Sequence, residues 1–217
     1  MTAGGPAAAP SLAEQAYRVL EQKLVSLELP PGAVISESQL IDLTGLGRTP
    51  VREAMQRLAT QELFEVMPRK GLLVAPVSLT GMLHILETRR PLDRVIVHRA
   101  ALNARDEQRS GLAAIARDMA IAHDNLEVFL RLDQDLDRLL DLCAGNPFAS
   151  AAVAPLRSHC RRFWFYYRQR VQLSDAISAQ AKMARLIARR DSTGAQKAVD
   201  ASIAVLERLV ASVDRLG

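Results

Sequence analysis

The stretch Gly47-Arg48-Thr49-Pro50-Val51-Arg52-Glu53-Ala54-Met55-Gln56-Arg57-Leu58 decides how this chain is read. Pro50 belongs in the opening turn of a helix, where a missing N–H breaks no bond and a fixed φ is already helical. Arg48 and Arg52 stand four residues apart and so leave one side of the helix N-terminus. Val51, Ala54, Met55 and Leu58 follow at the i, i+3, i+4, i+7 spacing of a buried stripe. Guanidinium groups presented from a first turn suit bidentate contact with guanine edges and phosphates in a DNA major groove. The helix dipole favours phosphate at the same end.

The flanking sequence supplies the context. Residues 37–43 read as a short helix with Leu40, Ile41 and Leu43 as apolar positions, and Thr44-Gly45-Leu46-Gly47 reads as a tight turn. Helix, Gly-containing turn and second helix make a helix-turn-helix. Residues 63–67 and 72–77 are β-tolerant and are separated by Pro68-Arg69-Lys70-Gly71. A two-stranded hairpin with a basic tip after a recognition helix is a wing. An ordinary helical hairpin with solvated arginines would account for Arg48 and Arg52 alone, but not for the wing and preceding helix together. The candidate DNA contacts are Arg48, Thr49, Arg52 and Arg57 on the helix, with Arg69, Lys70 and Gly71 on the wing.

Residues 16–77 resemble the DNA-binding domain of the GntR superfamily of bacterial transcription regulators. The resemblance is carried by Leu29-Pro30-Pro31-Gly32, Glu37, Leu40, Arg48-Thr49-Pro50-Val51-Arg52-Glu53-Ala54, Leu58 and Gly71. Two departures stand out. Gly47 occupies a position where the family usually has serine, and Ser38 one where some members carry a phosphate-contacting arginine.

At 217 residues the chain has room for a small domain over 11–77 and a larger one over 78–217. Hydrophobic content of 49% with only 4% aromatic residues points to Leu- and Ala-rich helices. Residues 1–10 form a Gly/Ala/Pro-rich tail without an apolar signal region and are expected to be disordered. Cys143 and Cys160 lack CxxC spacing, and no apolar run approaches membrane-spanning length. Reduced thiols in a cytoplasmic protein are the expectation. Over residues 12–77 seven Lys/Arg face eight Asp/Glu, so basic charge is concentrated in the recognition helix and wing rather than abundant. So weakly charged a domain favours a homodimer on a palindromic operator, which doubles the contacts.

Beyond residue 77 the pattern is helical, with helices expected at about 78–104, 106–123, 125–144, 147–170, 175–190 and 192–215. The fold class is therefore mostly α: a winged helix-turn-helix with a two-stranded wing, then an antiparallel helical bundle. This second part resembles the FCD domain of the FadR-like branch of the same superfamily, through Arg89, Asp93, Asp133, Gly145-Asn146-Pro147, Ala188-Arg189-Arg190-Asp191 and Ala195. Family members commonly hold a divalent metal with one Asp and three His. The resemblance sets Asp133 at the aspartate, and Asp137, Gln180 and Ser202 at the histidine positions. Amide and hydroxyl are poor ligands for a transition metal, and His84, His98, His123 and His159 form no HxxxH or HxH pair. No transition metal or other cofactor is therefore expected, while a hard Mg²⁺ or Ca²⁺ at Asp133 and Asp137 stays open.

An arginine-lined pocket is the expected replacement. The resemblance aims Arg89 inward, and Arg157-Ser158-His159-Cys160-Arg161-Arg162-Phe163-Trp164-Phe165-Tyr166-Tyr167-Arg168 holds five of the nine aromatic residues among four arginines. Arginine with aromatic walls suits a carboxylate on an apolar body, and equally suits an interface between subunits. The candidate effector set is Arg89, Asp133, Asp137, Arg161, Trp164, Tyr167, Gln180 and Ser202, with Arg162 as an alternative helper at the carboxylate and Phe163 as an alternative apolar contact. No catalytic motif is present, so an enzyme is not expected. The resemblance implies a repressor released from its operator by a small organic acid. The competing expectation is a regulator whose bundle only dimerises.

Overall fold

A computed structural model of the protein describes residues 9–122, 125–170 and 173–215. Most of the tail expected over residues 1–10, and the breaks placed at His123 and Gln172, lie outside them. The chain divides after Val77 into two compact units.

In the first unit, α1 (Leu12–Val25) starts at Ser11, whose hydroxyl accepts from the Glu14 N–H. A short strand β1 (Val34–Ile35) leads to α2 (Glu37–Thr44), whose start is locked by a reciprocal Ser36–Gln39 capping box. Gly45 ends α2 at φ 66, and after a turn of three residues α3 (Arg48–Thr60) begins. Leu20 and Leu24 of α1, Leu40 of α2, and Val51, Ala54 and Leu58 of α3 meet in one core with Leu63 and Val74. Met55 packs at its edge, whereas Leu43 faces outward.

The wing consists of β2 (Phe64–Met67) and β3 (Gly71–Val74), but the sheet has three strands rather than two. β1 pairs antiparallel with β3, Val34 opposite Leu73 and Ile35 opposite Leu72. A two-residue strand carries too little alternation to register in sequence. Its consequence falls on Gly71, which adopts φ +112 and lies so close to β1 that a Cβ would stand 2.6 Å from the Ile35 carbonyl oxygen.

The second unit is helical throughout its described residues: α4 (Leu79–Asn103), α5 (Asp106–Ile121), α6 (Leu126–Ala144), α7 (Pro147–Tyr166), α8 (Ser174–Ala188) and α9 (Ser192–Asp214). α4 packs on α6, α7, α8 and α9, while α5 closes against α6 and α8. Asn125, Asn146 and Asp191 cap the starts of α6, α7 and α9 with their side chains. α7 stops at Tyr166 instead of reaching residue 170, and a 3-10 turn (Arg168–Arg170) follows. Beyond Trp164 no residue up to 170 is fully buried, so packing does not hold a further helical turn.

Buried charge joins α4, α6 and α7. Asp133, Asp137 and Asp141 recur every four residues along α6, and Arg157 and Arg161 do so along α7. Arg161 Nε donates to Asp133 at 2.9 Å and Arg161 also pairs with Asp137. Arg157 Nε lies 3.1 Å from Asp137, a charge contact without an aligned hydrogen bond, and its Nη1 lies 3.1 Å from Asp141. Rising numbers on α6 thus meet falling numbers on α7, which makes the helices antiparallel. From α4, Asp93 accepts from Arg157 at 3.1 Å and from Arg89 at 2.8 Å.

Four carboxylates share three guanidinium groups in this ladder. Burial disfavours a charged Asp93, but Arg89 and Arg157 outweigh it and hold its carboxyl below the ordinary range. At Asp137 burial prevails, helped by the Asp133 charge and opposed by Arg157 and Arg161, and its carboxyl is pushed up to about 6. Both of its arginines are divided among other aspartates.

Three outcomes follow. Gly71→Ala forces strain and a backbone clash into the wing, and calorimetry of the full chain should record a loss of about 1–3 kcal/mol. Arg157→Ala strands buried carboxylates and should cost about 3–5 kcal/mol in denaturant unfolding; a loss near zero would mean that water reaches the ladder. Folded Asp137 holds its proton more tightly than the unfolded chain does. Its contribution to stability therefore falls as pH rises from about 4 to about 6. Wild type should lose stability relative to Asp137→Asn across that window, and parallel pH profiles would contradict the assignment.

Candidate nucleic-acid interface and bundle cavity

α3 opens on Gly47, which supplies no side-chain cap. Pro50 has no N–H to leave unbonded there, and Arg48 and Thr49 at the positive end of the helix are both exposed. Arg48 and Arg52 are exposed over 71% and 58% of their side chains, and both pair with Glu37 of α2, at 3.2 Å and 2.8 Å. One carboxylate thus holds two guanidinium groups side by side, so the pair is pre-positioned rather than free. The wing tip is a tight turn in which Lys70 N–H donates to the Met67 carbonyl at 3.1 Å, with Arg69 at φ 65 and both basic side chains exposed.

Arg57 stands elsewhere. It donates to Glu14 of α1 at 2.8 Å and lies 3.6 Å over the Tyr17 ring. Nine residues beyond Arg48, it faces the opposite side of α3. Arg57 therefore ties α3 to α1 and is set apart from the Arg48–Arg52 pair. In sequence Glu37 is only a family landmark, and its spacing from the arginines carries no signal until the turn folds α2 back on α3.

In the second unit two small adjoining cavities lie inside the bundle, sharing Arg89, Arg157, Gln180, Ser202 and Ile203. Asp133, Arg161 and Trp164 line the first, and Asp137 lines the second. Tyr167 lines neither. It sits past the end of α7, its ring 4.7 Å from that of Phe163 and 4.9 Å from that of Tyr166. Phe163 and Arg162 are buried but line neither cavity, and burial draws the Arg162 guanidinium down to about 10. Apolar walls come from Phe129, edge-to-face with Trp164 at 6.0 Å, and from Ile203 and Leu206.

Within these cavities the space for the centre of a water molecule is only about 20 Å³ and 10 Å³, room for about one water each. The arginines expected to await an anion are answered by the protein's own aspartates. Arg157, Asp93 and Asp141, which complete the ladder, were absent from the expected site. Their signal was the matched four-residue spacing of acids on α6 and bases on α7, which resembles a solvated face until α4 is seen to cover it. A metal fits poorly here. The aspartates turn to guanidinium groups, Gln180 and Ser202 are weak donors, and no group of three His, Cys, Asp or Glu converges among the described residues. His98 bonds to Ser192 at 2.9 Å instead, and His123 lies outside the described residues.

Comparison with known proteins agrees with both halves. Residues 12–74 match the model of bacterial regulatory proteins of the gntR family, and residues 84–205 match the FCD domain, more than half of the chain. The HTH-type transcriptional repressor RspR of Escherichia coli K12 is 26% identical over 147 residues, covering 67% of this chain and 64% of that protein. A fatty acid metabolism regulator protein of Yersinia pestis is 31% identical over 155 residues, 64% of either chain. The matched stretch thus spans somewhat under two thirds of these relatives. Among solved structures, E. coli McbR/YncC aligns over 94% of this chain and 99% of its own with a TM-score of 0.82 at 19% identity, a likeness of fold. No helix among the described residues is long and apolar enough to cross a membrane. The chain belongs to the GntR family of bacterial regulatory proteins and carries an FCD domain.

Proposed function

We propose that this regulator binds a palindromic operator in the cytoplasm as a homodimer and represses transcription until a small organic anion enters the bundle. The observation that carries the DNA half is the Glu37-held pair Arg48 and Arg52 at an uncapped helix start. Thr49 and the N-terminal amides face phosphate beside them, while Arg69 and Lys70 on the wing, with Gly71 shaping its base, reach the flanking backbone. Arg57 serves this interface indirectly, by fixing α3 on α1. Repression agrees with the name of the relative RspR.

The effector half rests on the polar cavities where Arg89, Asp133, Asp137, Arg161, Gln180 and Ser202 converge beside Trp164. Arg89 reaches both cavities, its Nε donating to Asp93 and its guanidinium also touching the Cys160 thiol, and the rest of its donors are the anchor for a carboxylate. A cavity of water size must open to admit an anion, so the ligand favours a different conformation from the closed one. That preference is what couples binding to operator release. The closed, internally paired ladder also favours a second reading, in which the bundle dimerises without any ligand.

Arg48→Ala and Arg52→Ala should each weaken operator binding by about 1–3 kcal/mol and relax base preference in anisotropy titrations. Wild-type affinity and discrimination in both would refute the recognition-helix assignment. A thermal-shift screen of small carboxylates should find one that raises the melting temperature of the full chain. Arg89→Ala should then keep operator binding and lose release by that compound. If no carboxylate of the screen stabilises the protein, the dimerisation reading replaces the effector reading.

A further inference from the structure

Resting on the reading of the bundle interior as an effector site, we infer that its ligand is an α-amino acid with a small apolar side chain, a zwitterion rather than a plain carboxylic acid. Gln180 is the key. Its side chain is buried, at 8% exposure, and lines both cavities. Nε2 donates to Asp133 at 2.9 Å, which fixes the amide orientation, because the oxygen turned that way would face a carboxylate. Oε1 is then a buried acceptor without a hydrogen-bond partner. Such an acceptor beside a carboxylate calls for a donor that carries positive charge, and a ligand ammonium supplies both.

The charge of the cluster points the same way. Asp93, Asp133, Asp137 and Asp141 face Arg89, Arg157 and Arg161, leaving one carboxylate in excess. The excess sits with the partly exposed Asp141, so the drier interior is already balanced, and a plain carboxylate entering it adds an uncompensated negative charge. A zwitterion adds none. It can set its carboxylate on the terminal nitrogens of Arg89 and its ammonium against Asp133, Gln180 Oε1 and the Ser202 hydroxyl. Phe129, Trp164, Ile203 and Leu206 wall the first cavity and have no use for a polar side chain. Because the closed cavity holds only about a water, the smallest apolar side chains demand the least opening.

The test is isothermal calorimetry of the full chain with L-alanine, L-valine and L-leucine. Each is paired with the acid lacking its amine (propanoate, 3-methylbutanoate, 4-methylpentanoate) and the amine lacking its carboxylate (ethylamine, 2-methylpropylamine, 3-methylbutylamine). At least one amino acid should bind about tenfold or more tightly than both counterparts, the effect of one lost charge-assisted contact. Gln180→Met removes the Oε1 acceptor together with a donor to Asp133, so it should weaken that amino acid by a clearly larger factor than the paired acid. An equal loss for both overturns the proposal. An acid binding as tightly as its amino acid overturns the zwitterion while leaving the effector reading standing. Failure of all three amino acids also overturns it, and the effector reading then falls only if the wider carboxylate screen fails as well.

Discussion

Arg157 is the residue on which the helical half of this molecule depends. Its guanidinium, 4% exposed, reaches Asp93 on α4 and both Asp137 and Asp141 on α6, so one side chain of α7 ties three helices together. Charge placed where water is excluded must be answered by charge, or the fold loses more than the contact is worth. That constraint sets the antiparallel register of α6 and α7 and fills the space that a ligand would need. Hydrophobic packing of Leu136, Leu140, Val153 and Phe163 on the same helices supplies stability but is far less particular about which turn meets which. The ladder is what discriminates.

The same device recurs at the surface in weaker form. Glu37 holds Arg48 and Arg52 in mostly exposed pairs, where solvent screening leaves each worth little. Weak pairing suits a DNA reader. The guanidinium groups are oriented in the free protein, yet phosphates and guanine edges can draw them from the carboxylate. In the bundle the corresponding exchange is harder, because any ligand must compete with desolvated aspartates. A response that begins by opening a buried ladder is switch-like for that reason.

Much of this was legible in the chain itself. Pro50 between two arginines, the Gly45–Gly47 turn and the basic tip at Arg69-Lys70 fixed the winged helix-turn-helix, since each carries a backbone constraint that few other arrangements satisfy. Capping residues placed the helices of the bundle within a few residues. What stayed hidden depends on pairing across distance. β1 has two residues and becomes a strand only because Gly71 lets β3 approach it. Arg57 looks like a recognition-helix base until Glu14 and Tyr17 arrive from α1. Asp133 and Asp137 stand out in sequence as a site, but Arg157, the second partner of Asp137, does not, because i,i+4 charges look alike on buried and solvated faces. Tyr167 seemed to continue an aromatic wall that ends with the helix at Tyr166.

Buried charge pairing, rather than apolar packing alone, holds the bundle closed around its polar interior. A double-mutant cycle on Asp93 and Arg157 tests it most directly, with unfolding free energies measured for Asp93→Ala, Arg157→Ala and the double variant. Coupling of at least about 1.5 kcal/mol, the double variant losing less than the sum of the singles, is the predicted result. Additivity within about 0.5 kcal/mol would show that the two side chains act independently, and would contradict the ladder as the element that closes the bundle.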